Sequence, residues 1–427
     1  MQRDLSDDLF DALVENPDDT SDLSEAQHAA EPGNFLRHVM ALSASKVADG
    51  LLNPKLVLSW LLEHLGAGAL WAGLLVPVRE AGALLPQLFT AGAIHGMARR
   101  KWAWAAGSAG QGIAAAGIVL AAMTLEGAVA GAVIVGLLAL LALARSVCSV
   151  SYKDVLGKTV GKTRRGTATG AAAGAASIAV IAFAVLLMLG AAERLALVLG
   201  ALAIAAGGWI VAAVIMALMQ EDAQKGEAKS VGASVAQMRL LREAPQLSRF
   251  IVARSALVGT ALAPPYLVLL ASGDNAARQL GALVLASAVA SLLSSYVWGR
   301  LSDRSSRRVL MYAGVAGSGA LALALVFHTA GLGGTVWAIP LALFALMVAY
   351  HGVRRARSTY LVDMAPKDSR PAYTAVSNTA VGVFLLLAGA AAAGVAALSV
   401  PLALGLFLVM SLGGAWIARG LDEVEDA

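Results

Sequence analysis

The chain is 427 residues long, 58% hydrophobic and only 14% charged, with a mean hydropathy of +0.72. A soluble core of this length cannot hide that much apolar surface, whereas lipid accepts it as solvent. The net charge of +4 does not point to nucleic acid, because the basic residues sit in short turns between apolar stretches, and the lone Cys148 excludes an internal disulfide or a thiolate cluster. His28, His38, His64, His95, His328 and His351 are widely scattered, so neither a metal nor another cofactor is expected.

Residues 1–34 carry ten acidic side chains against Arg3 alone and contain no apolar stretch of signal-peptide type. They are expected to form a disordered cytoplasmic tail, with Leu5, Leu9, Phe10 and Leu13 able to make an amphipathic turn or two. Twelve apolar stretches follow, near 36–64, 67–94, 102–123, 127–149, 167–190, 195–219, 247–272, 277–299, 308–330, 336–357, 371–395 and 398–418. Each has the roughly 20 residues a helix needs to cross about 30 Å of hydrocarbon. Their unbroken Leu/Ala/Val/Gly runs lack the alternation of a barrel strand. The predicted fold is therefore all-α and membrane-embedded, with six-helix bundles at 35–219 and 247–419. A cytoplasmic linker at 220–246 joins them, with Val231, Val235, Met238 and Leu241 at amphipathic helical spacing, and residues 420–427 form a short cytoplasmic tail.

Lys and Arg crowd the turns after spans 2, 4, 8 and 10, while the opposite turns offer little beyond Arg194 and Arg278. That asymmetry predicts cytoplasmic termini and a place in a bacterial inner (plasma) membrane. Several spans carry local signals of their own. Asn53-Pro54 and Pro264-Pro265 mark candidate bends, and Gly166, Gly170 and Gly174 give span 5 a small face for close packing within the molecule. The glycines near 107–110 and 314–317 lie inside spans as packing surfaces, and the run Gly157–Thr163 lacks the first glycine of a phosphate loop.

The second half repeats landmarks of the first at an offset of roughly 208–212 residues. Arg37 before Asn53-Pro54 is echoed by Arg249 before Pro264-Pro265, and Arg145 with Asp154 by Arg354 with Asp363. Repeated hydrophobic halves are the mark of secondary transporters, which rock about a site between them.

Charges deep in a span cost about 2.5–3.5 kcal/mol each even on a lenient insertion scale, so they mark function. Lys46, Asp49 and Asn53 share one face of span 1, and Arg79 and Glu80 lie in span 2. At about 1.5 Å per residue, Asp49 and Arg79 meet near mid-depth, which predicts an ion pair there. Arg254 and Tyr266 of span 7 and Asn378 of span 11 complete the predicted substrate and proton site.

Gly299-Arg300-Leu301-Ser302-Asp303-Arg304-Ser305-Ser306-Arg307-Arg308 resembles the Gly-x-x-x-Asp-Arg-x-x-Arg-Arg signature of the major facilitator superfamily. The first-half copy, Gly92 to Lys101, is degenerate, with His95 in the place of the acid. The resemblance implies a cytoplasmic gate of Asp303, Arg304, Arg307 and Arg308, in which Asp303 faces the start of span 5, around Gly166-Thr167, with Arg307 or Arg308 close by. Arg145, Asp154, Arg354 and Asp363 are expected to join an inner-face charge network of that gate. With no nucleophile–base or metal constellation in view, an enzyme is not expected. The expected protein is a monomeric alternating-access carrier of a small polar or anionic organic solute, with protons as the coupling ion. The alternative is a non-transporting sensor or a lipid-moving protein on the same fold.

Overall fold

The structure, a computed structural model, describes residues 10, 23–190, 193–224, 232, 236–271, 276–302, 304–366 and 369–424. Most of the acidic tail, Val231, Val235 and the predicted gate acid Asp303 lie outside the described residues. Among the described residues the only regular structure is helical.

In the first half run α1 (Glu25–Leu52), α2 (Val57–His64), α3 (Ala69–Leu84), α4 (Gln87–His95), α5 (Lys101–Thr124), α6 (Gly127–Thr159), α7 (Arg165–Leu189) and α8 (Arg194–Ala217). The second half holds α9 (Pro245–Ala256), α10 (Gly259–Leu262), α11 (Pro264–Leu270), α12 (Ala276–Ser302), α13 (Ser306–Thr329), α14 (Ala338–Met364), α15 (Arg370–Leu398) and α16 (Val400–Ala418). The order repeats: α5 packs on α6 and α8 as α13 packs on α14 and α16. Among the described residues eight helical segments are long and apolar enough to cross a membrane, nine if the pair bent by 41° around Pro86 is counted as one. Helices α1 and α14 carry the charged side chains of the central site, Lys46 and Asp49 on α1 and Arg354 and Arg357 on α14, and in α12 the stretch Gln279–Ser294 is apolar.

Proline chemistry sets the breaks. A proline supplies no N–H and crowds the preceding turn. At Asn53-Pro54 helix α1 stops, and the Asn53 carbonyl accepts from the N–H groups of Val57 (2.9 Å) and Leu58 (3.2 Å), which bridges α1 to α2. Pro264 and Pro265 occupy the first turn of α11, where a missing N–H costs nothing.

Two sequence expectations are corrected. The first helix begins ten residues before the predicted boundary at 35: the Ser24 hydroxyl caps it by accepting from the Gln27 N–H at 3.3 Å. Glu31 is not solvated but buried, accepting from the Gly161 N–H at 2.7 Å and from the Arg164 guanidinium at 2.5 Å. Acidity was a poor guide there because the partner lies 133 residues away. Phe10 also packs edge-on against Phe35, with ring centroids 5.3 Å apart. The second correction concerns span 5. Around Gly166, Gly170 and Gly174 no atom lies within 4 Å of where a Cβ would stand, so the predicted close approach on that face does not occur.

The close approach is made elsewhere, at the seam between halves. Helix α3 runs antiparallel to α15: Gly73 meets Ala393 and the Tyr266 hydroxyl, Gly389 lies against the Pro77 ring, and Gly382 lies against Leu84 and Leu85. Helix α7 packs on α12, with Gly281 against Ala184 and Met188. A Cβ at Gly389 would overlap Pro77. The Lys/Arg-rich turns of both halves mark one face, the basic face, and the contacts of Gly73, Gly389 and Gly281 hold the seam together toward the opposite one.

Candidate central site between the two halves

At mid-depth the halves separate around a cavity of about 530 Å³. The first half lines it with Lys46, Asp49, Asn53, Lys55, Arg79, Glu80 and Arg145. The second contributes Ser287 and Ser291 from α12 and Tyr350, His351, Arg354 and Arg357 from α14. Six cationic side chains thus face two carboxylates, an excess of four positive charges. Two like charges about 6 Å apart repel by roughly 3 kcal/mol at an effective dielectric constant of 20, so such an excess favours an anion in the cavity.

Asp49 is the hub of the first half. Its carboxylate accepts from Arg79 Nη2 at 2.7 Å and pairs on its other oxygen with Arg145. Lys46, one turn earlier on the same face, donates instead to the Thr169 carbonyl of α7 at 3.0 Å. Glu80 behaves differently: among the described residues no hydrogen bond or ion pair engages its carboxylate. It lies in the field of Lys55, Arg357, Arg79 and Arg354. Lys55 is held with its ammonium 3.6 Å from the centre of the Tyr350 ring, a cation–π contact that joins the halves.

Arg254 is buried behind this wall. Its guanidinium donates to the Ser377 hydroxyl at 2.8 Å and the Asn378 side-chain oxygen at 3.0 Å, both neutral. A small extension of about 20 Å³ separates it from Glu80, walled by Tyr350, Arg354 and Arg357. Glu80, Tyr350, Arg354 and Arg357 belong to both spaces, so the extension and the main cavity share a wall.

Of the predicted site residues, Lys46, Asp49, Asn53, Arg79 and Glu80 come together around the cavity, and the buried Arg254 is hydrogen-bonded to the half-buried Asn378 beside it. Tyr266 does not reach it. Its ring packs on Phe407 at 5.3 Å and its hydroxyl abuts Gly73 in the seam. Sequence reasoning missed Lys55, Tyr350, His351 and Arg357. The available signal was Tyr350, Arg354 and Arg357 at helical spacing, which one face of α14 presents together.

The predicted gate network divides. Arg145 and Arg354, equivalent in the two halves, line the cavity rather than the turns, because α6 continues to Thr159 and α14 to Met364. Asp154 and Asp363 follow nine residues later, about 13 Å nearer the basic face. Asp154 pairs with Arg100 at 2.6 Å and with His95 at 3.4 Å, not with Arg145. Arg304 is exposed in its turn. Arg307 and Arg308 turn to the C-terminal segment of their own half: Arg307 Nη2 lies 2.8 Å from Glu423, and Arg308 Nε 3.4 Å from it. The Ser305 hydroxyl donates to the same carboxylate at 2.7 Å.

Burial opposes ionisation of Glu423, but the hydrogen bonds from Ser305 and Arg307 and the charges of Arg307 and Arg308 outweigh it. They hold the carboxyl below the usual glutamate value. The first half has the same device: Glu221 accepts from the N–H groups of Lys101 (2.7 Å) and Arg100 (3.1 Å) at the start of α5. A carboxylate there also gains from the helix dipole.

The two helical bundles with a charged cavity between them share the fold of solved transporters of the major facilitator type. The nucleoside transporter NupG, in a mutant form, shares this fold at a TM-score of 0.69 and 13% identity over 91% of this chain and 99% of its own. A POT family transporter in complex with a thioalcohol-conjugated peptide is similar at a TM-score of 0.65 and 12% identity, over 90% and 94% of the two chains. The inward-open xylose transporter XylE from E. coli reaches 0.62 at 10% identity, over 93% and 97%. No protein-family model matches the sequence, and no curated protein matches it significantly.

Proposed function

We propose that the protein is a secondary carrier that moves a small anionic organic solute across the membrane by alternating access, coupled to protons. The observation that carries this reading is the cavity itself: about 530 Å³ at mid-depth between two pseudo-symmetric halves, lined by four more positive than negative charges. A solute of a few hundred daltons fits such a volume. Charges at this depth of a membrane-spanning bundle are costly and mark a substrate or ion path by default. The seam closed at the face opposite the basic turns corresponds to one end state of the cycle, with the basic face cytoplasmic by the positive-inside rule. On this reading both termini lie on the cytoplasmic side of a bacterial inner membrane, and the charge-lined cavity within a single chain requires no second copy.

Asp49, clamped by two arginines, holds the first half together, while Glu80, whose carboxylate no ion pair engages among the described residues, is the coupling acid. A sensor or lipid-moving protein is less well supported, because Asp49, Arg79 and Glu80 face the cavity rather than a dry seam. The test is uptake into proteoliposomes of labelled monocarboxylates, dicarboxylates, sugar phosphates, amines and neutral sugars, under an inward proton gradient. Uptake of an anion class, abolished by Arg357→Gln, is the expected result. Uptake of amines or neutral sugars alone contradicts it.

A further inference from the structure

We propose that Arg254, Arg354, Arg357 and Tyr350 form a subsite for the carboxylate or phosphate group of the solute, and that Glu80, at the wall of this subsite, is a built-in like charge that opposes the solute until it is protonated or displaced. The inference rests on the anion-carrier reading and adds to it where the charged group binds and what it must move.

Three observations support it. First, the second half supplies Arg254, Arg354 and Arg357 to the small extension and no carboxylate, so its charge is balanced only from across the seam. Second, Arg254 is buried with only neutral oxygens for company, and one of its guanidinium nitrogens, Nε, has no partner. A buried guanidinium without a counter-ion costs several kcal/mol. Third, the extension holds about 20 Å³, room for about one water molecule, so a carboxylate or phosphate cannot enter while Glu80 remains at its wall.

The groups that act on Glu80 come from every side. Arg79 neighbours it on α3, Lys55 follows α1, Arg145 belongs to α6, Arg254 to α9, and Tyr350, Arg354 and Arg357 to α14. All but the tyrosine are cations. An arriving anion therefore meets Glu80 as the one like charge on this wall. Protonation of Glu80 removes that repulsion, so anion and proton enter together. Nothing is bonded covalently: one Glu80 carboxylate oxygen gains a proton, and the anionic oxygens of the solute accept hydrogen bonds from the guanidinium groups.

The test uses purified full-length protein with inorganic phosphate, glucose 6-phosphate, succinate and benzoate as probes, read by thermal shift and then by calorimetric titration of the strongest binder at pH 6 and pH 8. The subsite predicts that wild type binds at least about tenfold more tightly at pH 6. It predicts that Glu80→Gln binds at pH 8 as wild type does at pH 6, and that Arg357→Gln and Arg254→Gln each weaken binding about tenfold or more. Proton uptake on binding, read from buffers of different ionisation enthalpy, is expected in wild type and absent in Glu80→Gln. Unliganded melting temperatures show whether each variant is folded. A probe that binds with the same affinity in wild type, Glu80→Gln and Arg254→Gln overturns the subsite while leaving an anion carrier standing. No binding of any probe at either pH overturns both.

Discussion

The two halves share a scaffold but divide the charge. Both carboxylates of the central cavity, Asp49 and Glu80, belong to the first half, while the second presents Arg354 and Arg357 and, behind them, Arg254. In the first half an acid binds two arginines; in the second, an arginine is held by a serine and an asparagine. At the basic face the halves are alike, each ending in a glutamate docked at the start of its third span, Glu221 and Glu423. Symmetry is kept where the bundle needs a mechanical support and lost where the chemistry needs a direction.

The largest effect that would break this comparison is expected from Asp49→Asn. It leaves Arg79 and Arg145 face to face without a counter-ion, and removing one partner of a buried pair costs about 3–5 kcal/mol. The lower end applies, because the Arg145 side chain is 39% exposed. Thermal melting in detergent checks it; wild-type stability in the variant would remove Asp49 as the hub. Next, Arg254→Gln sharpens the contrast. Losing two hydrogen bonds is offset by relief of the desolvated charge, so the net change is expected to stay under about 1.5 kcal/mol in the same melt.

The seam gives a prediction of position rather than stability. Gly389→Leu drives against Pro77 and should open the closed face. A cysteine introduced by Ala393→Cys, buried at 0% exposure in the native seam, then becomes reactive to a membrane-impermeant maleimide. Cys148 is itself buried and gives little background. The same low labelling with and without Gly389→Leu would mean that the seam is not what closes that face.

The smallest effect concerns Glu423 and pH. Its carboxyl is held below the usual value, so its contribution is present above the unfolded value of about 4.3 and is lost as pH falls through the lower, folded value. The pair is partly exposed and contributes less than about 1 kcal/mol. Hydrogen exchange should show the segment after Ala418 loosening between pH 5 and pH 3 in wild type, and already loose at pH 7 in Glu423→Gln. Equal protection in both would place the tail's hold elsewhere.

Much of this was legible in the chain. Apolar runs gave the bundles, prolines gave the breaks at Asn53 and Pro264, and the cost of burying charge singled out Lys46, Asp49, Arg79 and Glu80. Less legible were residues whose depth depends on where a helix ends. Arg145 and Arg354 were assigned to the basic face because the apolar runs fade near them, yet α6 and α14 continue and project beyond. Lys55 was hidden by its place in the break after Pro54, and its partner Tyr350 lies 295 residues on. Glu31 illustrates the same limit: an acid in an acidic segment reads as solvated until the fold supplies Arg164.

The measurement that bears most directly on the division of labour is anion transport by Glu80→Gln in proteoliposomes, in two modes. On the proposed reading, exchange of labelled for unlabelled anion at equal pH needs the second-half arginines but no net proton movement, and accumulation under a proton gradient needs Glu80 as well. The account predicts that exchange persists and gradient-driven accumulation is lost. Accumulation retained at the wild-type level, or exchange lost together with it in a folded variant, would contradict it.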